Sequence, residues 1–130
     1  MNKKVIIGIG ISLIVIFLIV LISGILIFRT VINSGITAGP DEMFGDQHLK
    51  TAVALIELHK TRYGKYPASL SELKFIGQWD VMALQSVKYY PNEDGSAYFI
   101  EVQRGWVGKP QLNVPDEFWQ GTGYRKELKP

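Results

Sequence analysis

The chain has 130 residues, 47% of them hydrophobic and 20% charged, with a formal net charge of +2 and no cysteine. These values exclude a multidomain enzyme, a disulfide-stapled secreted scaffold and a cysteine-ligated zinc module. A chain without thiols is compatible with any redox compartment, so the fold must stand on its core alone.

The apolar residues are concentrated at the start. Val5 to Phe28 reads VIIGIGISLIVIFLIVLISGILIF without a charge; as a helix these roughly 24 residues span about 36 Å, enough to cross a bilayer with some tilt. A secretory signal peptide would share the basic start Met1-Asn2-Lys3-Lys4. Its apolar region, however, runs only about 7 to 15 residues and ends at small residues, whereas Ile27-Phe28-Arg29-Thr30 follows here. The sequence therefore predicts an uncleaved anchor over residues 1–29. Lys3 and Lys4 precede the span and only Arg29 closely follows it. The positive-inside rule then predicts a single-pass protein of the cytoplasmic (inner) membrane, with a cytoplasmic N-terminus and an extracytoplasmic remainder. Gly8 and Ser12 form a small-x-x-x-small pair, a candidate packing site for a second membrane helix and hence for self-association.

Without Lys3 and Lys4 the 14 basic residues fall to 12, equal to the 12 acidic ones, so the exported part is neutral. A nucleic-acid partner is excluded on that ground, because backbone binding needs a basic patch.

Residues 30–40 are expected as a linker, with Gly35, Gly39 and Pro40 interrupting the rod. A domain follows over 41–130. Its first helix is predicted from about Pro40 or Asp46 to Tyr63, with Leu49, Ala52, Val53, Ile56 and Tyr63 at helical spacing and Leu55 and Leu58 widening the stripe. Gly64 is placed to end it, and Pro67 to prevent resumption. Ser69-Leu70-Ser71-Glu72 reads as a capping box opening a short helix to about Phe75. Asp80 to Ser86 adds a helical turn. Val87 to Tyr90 and Ala97 to Arg104 alternate as a β-hairpin around the turn Pro91 to Ser96. Tyr98, Ile100 and Val102 are expected to face the helix, with Phe99, Glu101 and Gln103 opposite. A third strand is expected at Gln111 to Val114, then a helical turn at Pro115 to Trp119.

The order of membrane helix, amphipathic helix ending in Tyr63-Gly64-Lys65-Tyr66-Pro67-Ala68-Ser69-Leu70-Ser71-Glu72-Leu73, and antiparallel hairpin resembles type IV pilins and the pseudopilins of type II secretion. The resemblance is close over Ala52 to Phe75 and rests on element order beyond. It implies an α+β, pilin-like fold in which the helix packs on a small antiparallel sheet. One departure concerns assembly. Pilin-like subunits resemble one another in a Gly, a following methylatable residue and a Glu five positions after the cleavage point. Here Ile9 and Ile11 follow the candidate glycines Gly8 and Gly10, and no acid occurs between Val5 and Phe28. That leaves peptidase processing and polymerisation without their usual chemistry.

No constellation for catalysis stands out. His48 and His59 are separated by about 16 Å along one helix and have no ligand-type residue three or four positions away. Both are expected to be exposed or rim histidines, and no metal or cofactor is predicted. Asn92-Glu93-Asp94-Gly95 resembles part of a calcium loop, but Tyr90 occupies a ligand position, which favours an ordinary turn. Walker and nucleophile-elbow motifs are absent.

Trp106 and Trp119, in expected turns, are candidate anchors for a partner or a sugar-like ligand, with packing over the sheet edge as the plain alternative. The chain is thus expected to be a noncatalytic, membrane-anchored protein acting through protein partners, accessory to a secretion or pilus-like system. An extracytoplasmic ligand-binding domain using exposed aromatics is the alternative.

Overall fold

The computed structural model describes residues 2–33 and 38–130, and the chain divides into two units, Met1–Ile36 and Thr37–Pro130. The first unit is the helix α1 (Lys3–Asn33). Its stretch Lys3–Val31 is long and apolar enough to cross a membrane, and the large apolar side chains along it are exposed. A helix keeps every backbone group of such a stretch hydrogen-bonded internally, as a hydrocarbon surrounding requires. Gly8 and Ser12 are both exposed, and a Cβ on Gly8 would meet nothing within 4 Å, so the notch between them is open. Of the expected linker, residues 30–33 continue α1 and residues 38–40 open the next helix, while Gly35 lies outside the described residues.

The second unit is α+β. Its long helix α2 (Ala38–Tyr63) holds Gly39 and Pro40 in its first turn, where a proline forfeits no intrahelical bond. Leu49, Ala52, Val53 and Ile56 are buried along one face, as their spacing predicts. Tyr63 is exposed instead and its ring leans on His59, with centroids 4.6 Å apart. Gly64, at φ +77°, stops the helix and donates its N–H to Lys60 O (2.8 Å), a left-handed terminus that costs a glycine nothing.

The expected capping box does not form. Leu70–Glu72 is a single 3-10 turn whose Glu72 N–H bonds the Ser69 carbonyl (3.2 Å), which removes the amide that the Ser69 hydroxyl would cap. That hydroxyl meets Ser71 Oγ (2.6 Å), and the Glu72 carboxylate accepts from Ala68 N–H (3.3 Å). Helix α3 (Gln78–Gln85) starts earlier than expected, because Asp80 accepts the N–H groups of Ile76 (3.1 Å) and Gly77 (3.4 Å) at its entrance.

Strands β1 (Val87–Pro91) and β2 (Tyr98–Val102) pair antiparallel with Val87 opposite Val102 and Pro91 opposite Tyr98. The turn between them is closed by its own side chains, Asp94 Oδ1 accepting from Ser96 N–H (2.9 Å) and Asn92 Oδ1 from Ala97 N–H (2.9 Å). Hydrogen bonding from the Ser96 hydroxyl and the Ser96 amide holds the Asp94 carboxyl below its ordinary value. Tyr98, Ile100 and Val102 enter the core with the α2 stripe. Phe99, on the other face, is also buried, since the Tyr90 and Tyr124 rings lie 6.0 and 5.6 Å from it.

Gln111 to Val114 forms no strand. Pro110 and Pro115 bracket it, and Leu112 and Val114 pack against the core. The second neighbour of β2 is the C-terminal segment. Tyr98 N–H bonds Gly123 O (2.9 Å), Arg125 N–H bonds Tyr98 O (2.7 Å), and Tyr98 and Tyr124 make a parallel bridge.

Glu57, on the buried side of α2, gathers these pieces. Its Oε1 accepts from the Tyr98 hydroxyl (2.9 Å) and from Gly123 N–H (3.2 Å), and its Oε2 from the Tyr66 hydroxyl (2.9 Å). The Tyr66 ring stands edge-on to Tyr98, with centroids 4.9 Å apart, and a Cβ on Gly123 would overlap it. Burial, followed by the bond from Tyr66 to Glu57, pushes the Tyr66 phenol up to about 12. Burial and the Glu57 charge push Tyr98 further in the same direction.

Glu57→Ala strands three donors and should cost about 3 kcal/mol in urea unfolding of the full chain in micelles, read by tryptophan fluorescence; Glu57→Gln, which keeps an acceptor oxygen, should cost about 1 kcal/mol. Raised phenol values mean that the folded state retains protons the unfolded state releases. Stability should therefore be intact below pH 10 and fall as pH climbs from 10 towards 12. A urea midpoint that stays constant between pH 9 and pH 11 would contradict this.

Candidate interaction surface

Between the 3-10 turn and α3 the chain carries Lys74-Phe75-Ile76 across α2. Leu73 is buried beneath this segment, and the Asp80 carboxylate fixes its far end through the Ile76 and Gly77 amides. Held at both sides, Ile76 projects fully into solvent, while Phe75 and Leu58 are exposed by more than a third. Together with Ala54 and Leu55 they line an apolar groove of about 430 Å³, which Thr51, Arg62, Lys74 and Asp80 complete. Neither Arg62 nor Lys74 has an ion-pair partner among the described residues. Trp79, the second residue of α3, is 68% exposed. A cluster of large apolar side chains held open by backbone bonds is the usual mark of a contact surface.

The two tryptophans singled out from the sequence lie elsewhere, in different settings. Trp119 is half-buried in the 3-10 turn Asp116–Trp119, where it stacks on Tyr124 at 3.9 Å and borders a cleft of about 370 Å³ with Leu49, Ile100 and Leu112. Trp106 is 57% exposed. Its loop is pinned by Asp41, whose Oδ1 accepts from the amides of Val107 (2.6 Å) and Gly108 (2.9 Å). Gly105 is needed there, because a Cβ would come within 2.6 Å of the Asp41 carbonyl oxygen. The Trp106 ring stacks on Phe44 (6.3 Å, 16°), which meets His48 edge-on (6.0 Å).

His48 corrects the expectation of an exposed or rim histidine. It is 4% exposed, and among the described residues neither ring nitrogen makes a well-formed hydrogen bond, the Arg104 backbone being its nearest acceptor. It falls on the buried stripe, one position before Leu49 and four before Ala52. Burial lowers its pKa, and the Arg104 charge acts in the same direction against the opposing effect of the Arg104 backbone. The 270 Å³ cleft beside it is walled by Phe44, Met82, Arg104 and Trp106, but the imidazole nitrogens are sealed from solvent. His59 lies 3.9 Å from Glu72. Among the described residues no three His, Cys, Asp or Glu side chains converge as a metal site would require.

Sequence reasoning missed the groove. In the sequence Phe75 reads as a helix end, and Ile76 and Trp79 belong to no periodic stripe, an apolar run beside Asp80 without an obvious inward periodicity. Compared with protein-family models, with curated proteins and with solved structures, the chain matches none.

A neutral, buried histidine with a lowered pKa stabilises the fold fully above pH 6.5 and progressively less below it, because the unfolded state takes up the proton first. The urea midpoint should therefore drop between pH 7 and pH 5, and His48→Phe should flatten that part of the profile. An unchanged slope in His48→Phe would assign the acid sensitivity to other groups.

Proposed function

We propose that this protein is a noncatalytic, single-pass membrane protein whose pilin-like α+β domain docks protein partners through the groove between α2 and the Phe75–Ile76 segment. The observation that carries the reading is the full exposure of Ile76 above an apolar groove, in a domain whose core gathers Leu49, Val53, Ile56, Leu73 and Leu84 around α2. Arg62 and Lys74 at the groove's edge favour an apolar segment flanked by carboxylates. The apolar length of α1 supports an anchor. The charge bias of Lys3 and Lys4 over Arg29 favours a cytoplasmic N-terminus and an extracytoplasmic domain of the inner membrane.

The pilin-like part of the proposal rests on α2 ending at Gly64, the Tyr66-Pro67 turn folding back on it and the hairpin packing across its buried face. In a pilin-type filament a carboxylate within the span pairs subunits, and this span has none. The proposed role is accordingly accessory to a secretion or pilus-like machine, as a fixed anchored subunit that meets its partners sideways.

A photo-crosslinking amino acid at Ile76 should yield one discrete adduct in native membranes, and the same group at Lys88, exposed on β1, should yield none. Leu58→Asp should abolish the adduct while changing stability by no more than about 0.5 kcal/mol, as for other exposed sites. Equal adducts from both positions, or none from either, would refute the groove as the docking surface.

A further inference from the structure

The outer edge of β2 is only partly covered. Asn92 N–H bonds Ala97 O (3.0 Å) and Gln103 N–H bonds Ser86 O (2.8 Å), at the residue pairs just beyond either end of the hairpin ladder. Antiparallel pairs alternate between bonded and unbonded, so Phe99 and Glu101 turn their backbone groups to β1 while Tyr98, Ile100 and Val102 turn theirs away from it. Tyr98 shows that direction, since its N–H and C=O are taken by Gly123 and Arg125 of the C-terminal segment. That segment bridges β2 at Tyr124 and then leaves it in the 3-10 turn Lys126–Leu128. Among the described residues, nothing bonds the outward N–H and C=O groups of Ile100 and Val102.

Both residues are buried, at 3% and 8% exposure. Buried backbone groups without a partner are rare and costly, so their surroundings matter. Tyr124 and Lys126, which mark the outer side of β2, line the same cleft of about 370 Å³ as Ile100 and Val102. The unpaired groups therefore open into that cleft, to which Leu49, Leu112, Val114 and Trp119 give an apolar lining.

Donors and acceptors alternating along a strand edge match the backbone of another extended chain, the pairing that adds a strand to a sheet. Every second side chain of such a chain points to the same face, and the apolar lining suits a small or β-branched aliphatic there. On the rim Glu101 and Asp116 outnumber Lys126, which favours a basic flanking residue. A sugar fits less well. The Trp119 ring is already stacked on Tyr124 at 3.9 Å and set edge-on to Phe118 at 4.8 Å, so it serves as a wall of the cleft.

We propose that the free edge of β2 at Ile100 and Val102 is a second binding site, which takes an extended peptide segment of a partner protein as an added strand. The site depends neither on the anchor nor on the groove at Ile76, so it stands or falls separately from the function proposed above.

The test selects short peptides from a displayed random library on the full chain in phospholipid nanodiscs, then follows a recovered and synthesised peptide by amide hydrogen exchange. Recovered peptides should alternate β-branched with polar residues and carry Lys or Arg. Binding should slow exchange at Ile100 and Val102 about tenfold or more, with little change at Phe99 and Glu101, which already bond β1. N-methylation of one alternate set of peptide amides should weaken binding about tenfold or more, and N-methylation of the other set should change it little. Asn113→Trp, at an exposed position on the cleft, should weaken binding without moving the urea midpoint. Equal sensitivity to the two N-methylated sets, or protection confined to residues outside β2, overturns the added strand, and so does recovery of no peptide. Ile100 and Val102 amides as protected as those of Phe99 and Glu101 in the free chain would mean that the chain closes its own edge, which overturns it as well.

Discussion

The second unit depends on one carboxylate. Glu57 accepts from a hydroxyl of the turn that follows α2, from a hydroxyl at the start of β2 and from an amide of the C-terminal segment. These three pieces are far apart in sequence and share no regular hydrogen-bond ladder except the short one around Tyr98. A charged acceptor bonded by several neutral donors is stronger than the same number of neutral pairs, and it is directional in a way that apolar packing is not. In a domain with two short strands and 3-10 turns, the register of the C-terminal segment is set by its backbone bonds to Tyr98 together with the bond from Gly123 N–H to Glu57.

A second carboxylate works at the other end of the same helix. Asp41 and Glu57 are about 24 Å apart along α2, and β2 runs between them, with Tyr98 bonded to Glu57 and the loop after Val102 returning to Asp41. The strand is therefore tied to the helix at both of its ends by side chains of the helix, while Ile100 and Val102 supply the apolar contact in between. This explains how a sheet of only two full strands can be held flat on one helix, a size that is marginal without support.

The sequence made the regular parts legible because their signals are local. The α2 stripe, the Gly64 stop, the hairpin and its turn follow from periodicity and from residues with restricted backbone geometry. Glu57 was less legible, since a glutamate on a helix normally reads as solvated; its clue was position, four residues after Val53 and eight after Leu49 on the buried face. His48 carries the same clue, one position before Leu49 and four before Ala52. The partner of β2 at Tyr124 could not be read at all, because a single bridge leaves no alternation. Gln111 to Val114 has the composition of a strand, and its Leu112 and Val114 are used for packing on the core instead.

The candidate surface was hidden for a related reason. Exposure is decided by what other segments cover, and Ile76 is uncovered because Asp80 captures the Ile76 and Gly77 amides and turns the chain into α3 before the side chain can fold inward. The same kind of device positions Trp106, whose loop is captured by Asp41 and whose ring is propped by Phe44. In both places a carboxylate fixes a backbone segment and leaves an apolar side chain directed outward. A fold seeking stability alone would gain by burying those side chains, at roughly 25 cal/mol for each Å² of apolar surface removed from water. Holding them out forgoes that gain at two separate points along α2, one at its first turns and one well along the helix. Two such side chains beside one helix can each be covered by a partner without any change in the fold between them.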